Sequence, residues 1–110
     1  MRRLVTEKDE TLTVKRQFRA GKKVLIDNEE TEVVDVHRFL TAPGEVGLSG
    51  GMTLNLGDFE SARVDIHWKV PAYVEEMEEA YKYAGRAVRE RLKVELEEIR
   101  DYVATKTIPA

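Results

Sequence analysis

Five cations fall within nine residues near the start of the chain, Lys15, Arg16, Arg19, Lys22 and Lys23, with Phe18 among them. Single-stranded nucleic acid is held by cationic side chains that track its backbone and by aromatic rings on which its bases stack, and a sheet face or barrel mouth is the usual platform. Lys15, Arg16, Phe18, Arg19, Lys22 and Lys23 therefore form a candidate surface for single-stranded DNA or RNA. The same residues also suit an edge strand protected from aggregation by Lys and Arg, with Phe18 turned into the core.

The chain's two histidines each follow an aspartate by two residues, in Asp35-Val36-His37 and Asp65-Ile66-His67. On a strand, residues i and i+2 project from one face, so each pair points one way. Were the two strands neighbours, their carboxylates and imidazoles would converge as a site for a hard divalent metal. The spacing matches no metalloenzyme motif, and solvent-facing alternation accounts for Asp65 and His67, so the expectation is no metal site and no cofactor. The glycines between Gly44 and Gly51 match neither a P-loop nor a dinucleotide fingerprint and read as a mobile connection. The helical acid pairs Glu75/Glu79 and Glu97/Asp101 have a spacing that general acid–base work can use, but on so charged a helix they read as a solvated face.

The elements that position these residues follow from periodicity. Leu12, Val14 and Phe18 alternate with Thr13, Lys15, Gln17 and Arg19, the pattern of a half-buried strand that only Arg16 interrupts. Lys23–Ile26 predicts a short second strand, Asp27–Glu30 a polar turn, and Glu32–Leu40 a third strand. Met52–Leu56 and the alternation Ala62, Val64, Ile66, Trp68, Val70 predict a hairpin joined at Gly57-Asp58. After Pro71 the period changes, and Met77, Tyr81, Ala84, Val88, Leu92, Leu96, Ile99 and Val103 form one helical stripe between Ala72 and about Ala104. Such a helix runs ~50 Å, longer than the sheet expected to cover it. It must break near Gly85 or pack its far half on something else, and a second copy of the chain is the simplest partner, through Val88, Leu92, Leu96, Ile99 and Val103.

The chain has 110 residues, of which 42% are hydrophobic and 35% charged, enough for a single core beneath a highly charged surface. Without cysteine, disulfides, thiol catalysis and Cys-ligated metals are excluded. No apolar run reaches bilayer length and the N-terminus carries no apolar signal core, so a cytoplasmic location without membrane insertion is expected. The net charge of −3 is uneven: residues 1–23 carry eight Lys/Arg against three Asp/Glu, whereas residues 24–70 carry three against nine. Positive potential is thus local to the opening segment, where phosphate would be held.

The stretch Asn55-Leu56-Gly57-Asp58-Phe59-Glu60-Ser61-Ala62-Arg63-Val64-Asp65-Ile66, followed by Val70-Pro71 and an acidic helix start, resembles small uncharacterised proteins of phages and other mobile elements over residues 52–98. The resemblance implies a hairpin followed by a glutamate-rich helix and brings no catalytic residues. The association of such proteins with replication and recombination genes favours a nucleic-acid ligand.

The fold expected is α+β, a single domain with a mainly antiparallel sheet of about five strands, open or curled into a partial barrel, and one long C-terminal helix. The function expected is non-enzymatic binding of single-stranded nucleic acid through the basic opening segment, with homo-oligomer formation. The alternative is a protein–protein module, such as a phage-encoded inhibitor or assembly factor, acting through its long helix or its acidic segment.

Overall fold

Four long strands precede one helix: β1 (Thr6–Ala20), β2 (Lys23–Phe39), β3 (Gly44–Gly57), β4 (Glu60–Ala72), a 3-10 turn (Val74–Glu76) and α1 (Met77–Thr105). The computed structural model describes residues 5–57 and 60–105, so Asp58 of the expected Gly57-Asp58 connection lies outside it. The strands form one open antiparallel sheet in the order β2-β1-β4-β3. Among the described residues it does not close into a barrel, and it has four strands rather than five.

The fifth strand disappears because the two short strands expected at 23–26 and 32–40 are one. Asp27–Glu30, read as a turn, continues β2 because this strand lies at the sheet edge, where most of its side chains remain solvated and polar residues cost no burial. Gly21, at φ +60°, makes the tight turn from β1 that a residue with a Cβ rarely adopts. The glycine-rich segment is likewise no loop: it forms the first half of β3. A Cβ on Gly50 would sit 2.8 Å from Val88 Cγ1, so glycine there lets α1 approach the sheet.

Pro71 ends β4 instead of opening the helix. The β1–β4 pairing stops at Thr11–Lys69, while Pro71 pairs only with Glu45 of β3, so one side of β4 needs no donor at that point. The chain then turns through Tyr73, whose carbonyl accepts from Glu76 N–H at 2.9 Å. Glu75, Glu76, Glu78 and Glu79 occupy the opening turns, where the helix dipole favours anions.

The core lies between one sheet face and α1. Leu12, Val14 and Phe18 of β1 and Ala62, Val64, Ile66, Trp68 and Val70 of β4 meet Ala80, Ala84, Val88, Ile99 and Tyr102 of the helix. The expected stripe is slightly out of phase: Tyr81 and Val103 are exposed, and Ala80 and Tyr102 take the inward places. Small residues at 80 and 84 let the helix sit close, and Tyr102 packs edge-on against Phe18 at 5.2 Å.

The helix continues unbroken through Gly85. Its 29 residues span about 43 Å, and strands of 13–17 residues span roughly the same or more, so the sheet is long enough to cover it. Val88 and Ile99, expected at an oligomer interface, are therefore buried in the chain's own core, with Leu92 and Leu96 half-buried and Val103 exposed.

Arg16, the one residue that breaks the apolar alternation of β1, is buried. Its Nε and Nη2 donate to the two carboxylate oxygens of Glu95 at 2.8 and 2.6 Å, a bidentate pair beneath α1. Hydrogen bonding to Glu95 outweighs burial and raises the Arg16 pKa above its ordinary value. Arg91, one turn before Glu95, adds a contact at 3.3 Å. Removing one member of a buried pair leaves the other uncompensated, whereas an apolar pair of similar volume does not. Arg16→Met alone and Glu95→Leu alone are each expected to lower unfolding free energy by about 3–5 kcal/mol, with most of the loss recovered in the double variant, as read from urea unfolding.

Candidate functional site

The six residues expected to hold nucleic acid divide between the two sides of the sheet. Arg16 and Phe18 face the helix and are buried, the first locked to Glu95 and the second in the core. Neither is a surface group, and the aromatic platform is lost with Phe18. Lys15 and Arg19 lie on the opposite, uncovered face and are exposed, and Lys22 and Lys23 lie at the adjoining β1–β2 turn. This split follows directly from the two-residue period of β1.

The uncovered face is polar and evenly mixed in charge. Lys15 pairs in register with Glu29 and Asp65, its neighbours on either side. Arg63 donates to both carboxylate oxygens of Asp65 at 3.2 and 2.7 Å and to Thr53 Oγ1 at 2.8 Å, and the bond to Asp65 raises its pKa. His67 Nδ1 lies 2.6 Å from Ser49 Oγ.

The two Asp–His pairs do not converge. Strand β1 separates β2 from β4, and Asp65 and His67 are on the open face while Asp35 and His37 line a cleft beside α1. In place of the second pair stands Glu10 of β1, which is 2% exposed. Its Oε2 accepts from Trp68 Nε1–H at 2.7 Å and from Tyr83 O–H at 2.5 Å, while His37 Nε2 lies 2.8 Å from Oε1. Every buried carboxylate needs such donors. Glu10 was not among the sequence candidates; its place at the head of the inward alternation Glu10, Leu12, Val14 was the available signal.

On the helix side the sheet is covered unequally. The backbone of α1 packs mainly on β4 and β3, and long side chains such as Tyr83 and Glu95 reach the β1–β2 half. A groove therefore runs between α1 and β2. One hollow of about 510 Å³ is lined by Leu12, Val34, Trp68, Ala87 and Val94 among others, and the Glu10 cleft, about 430 Å³, lies further along it.

Strand β2 forms the outer wall of this groove and is the acidic segment of the sequence, with Asp27, Glu29, Glu30, Glu32 and Asp35 against Lys23 and Arg38. It also exposes Val24, Val33, Val34 and Val36, with Val33 at 55%, and Leu40 follows immediately. The β-branched residues of 32–40 marked a strand in the sequence, but not that it lies at the sheet edge with its valines exposed.

Tyr83 reports on the Glu10 network. Burial, and then its hydrogen bond to Glu10, push the phenol up to about 12. A raised folded value means that the neutral phenol stabilises the fold below the ordinary value near 10, and that this contribution disappears as pH rises from about 10 to about 12. Ultraviolet titration of phenolate absorbance is expected to show a late step that Tyr83→Phe removes.

Comparisons with protein-family models, curated proteins and solved structures find no match for this chain.

Proposed function

We propose that the chain is a non-enzymatic binding protein that takes up a basic, extended segment of a partner protein along β2. The observation that supports this reading is the set of exposed aliphatic side chains on an edge strand: Val24, Val33, Val34 and Val36. An edge strand leaves a row of backbone N–H and C=O groups unpaired. A partner strand satisfies them, while alternate side chains supply specificity. Half of the side chains of an added strand would enter the groove beside Val34, Ala87 and Val94.

Charge selects the partner. Five acids against two cations on β2 favour a basic segment. Pairing of β2 with a second copy about Thr31 would set Glu30 against Glu32 and Asp27 against Asp35, like charges directly opposed. The acidic-segment alternative from the sequence is thereby preferred to self-association through this strand.

A second reading rests on Lys15 and Arg19, which share the uncovered face near the turn that carries Lys22 and Lys23. These four cations offer single-stranded nucleic acid an electrostatic contact without a stacking ring.

The two readings separate in one titration series. A fluorescent peptide alternating lysine with valine is expected to bind and to shift β2 amide resonances, and Glu29→Lys with Glu32→Lys weakens it roughly tenfold or more. Retention of a fluorescent oligonucleotide instead, with steep salt dependence and loss on Lys15→Glu with Arg19→Glu, moves the function to the second reading. Failure of both probes at low salt removes both.

A further inference from the structure

We propose that Glu10, Asp35 and His37 form a binding site for a first-row divalent transition-metal ion, Mn²⁺ through Zn²⁺. One ligand atom from each lies within 4.8 Å of the others. Two carboxylates and an imidazole make a mixed oxygen–nitrogen set that suits these borderline ions better than Mg²⁺ or Ca²⁺, which prefer oxygen alone. This site is independent of the peptide reading.

Three features set this cluster apart from an ordinary patch of acids. Glu10 is buried at 2% exposure, and its two oxygens have different duties. Trp68 and Tyr83 both donate to Oε2, which fixes the carboxylate plane and directs Oε1 at His37. Donors of this kind orient the ligands of metal sites and sharpen affinity. The separation of Glu10 Oε1 and His37 Nε2 is 2.8 Å, and adjacent ligands each about 2.1 Å from one ion stand roughly 3.0 Å apart in octahedral and roughly 3.4 Å apart in tetrahedral geometry, so a small opening of the pair admits the ion. Stacking on Phe39 at 6.4 Å limits the tilt of the imidazole.

The third ligand, Asp35, sits directly across the ladder from Glu10, and being exposed it is the member that turns inward. The cleft beyond it is also lined by Glu76 and Glu79, and its described lining holds no Lys or Arg. A cation there meets four carboxylates, and three protein ligands leave further coordination positions facing the cleft. Binding replaces the His37–Glu10 hydrogen bond by two metal bonds, with His37 as the neutral tautomer that carries its proton on Nδ1 and presents the Nε2 lone pair to the ion. The ion would then tie edge strand β2 to β1, beside α1.

The test uses the full, untagged chain. Zn²⁺ titrated by calorimetry, and Co²⁺ followed by visible absorption, are expected to saturate at one equivalent and to raise the thermal midpoint. Asp35→Asn and His37→Ala each lose at least tenfold in affinity, and Tyr83→Phe loses about 10–100-fold through the orienting hydrogen bond. His67→Ala, on the far face, leaves binding intact. Asp35 is exposed, so its variant keeps the fold, as circular dichroism checks, and decides the matter if His37→Ala does not fold. Absence of saturable uptake, uptake unaffected by Asp35→Asn, or uptake abolished by His67→Ala each overturns the site.

Discussion

Helix α1 is held to one side of its sheet, and this placement sets the shape of every surface described above. A single helix about 10 Å across cannot cover four strands spaced about 4.8 Å apart. Here it lies over β4 and β3, where Gly50 and the alanines at 80 and 84 allow close approach. Polar side chains then reach sideways to β1, Glu95 to Arg16 near one end and Tyr83 to Glu10 near the other. What remains uncovered is the groove along β2.

Both anchors are buried carboxylates with complete sets of donors, but their consequences differ. Glu95 is neutralised by Arg16, which engages both of its carboxylate oxygens, and is supported by Arg91. Such pairs gain little net stability over apolar packing, and their value lies in fixing one arrangement. Here the arrangement fixed is the lateral position of α1. Glu10 instead receives an indole, a phenol and an imidazole, with no Lys or Arg hydrogen-bonded to it among the described residues. One of its oxygens faces a cleft rich in carboxylates, so the same burial that anchors the helix also presents a ligand atom.

The edge strand links the two ends of the groove. Charged side chains along β2 restrain indiscriminate pairing, yet the valines between them keep the strand adhesive. That combination suits selective pairing with a partner of opposite charge better than aggregation or self-pairing. The uncovered face, by contrast, is polar and carries pairs of its own, Arg63 with Asp65 and His67 with Ser49.

The sequence by itself determined the inward faces of β1 and β4, the Met52–Leu56 alternation, and the existence of one long C-terminal helix, though not its start at Met77. Each is a local periodicity, and burial follows from it wherever a second layer is present. It also showed that Arg16 violates its strand's pattern, though not with what it pairs. Only the tertiary structure decided that Asp27–Glu30 and Gly44–Gly51 are strand, because an edge position tolerates polar side chains and a close helix demands glycine. It likewise decided that Arg16 and Phe18 leave the cationic surface, and that Glu10 joins Asp35 and His37. Those groupings depend on strand order and on the side of the sheet that the helix occupies, and neither is written in any local run of residues.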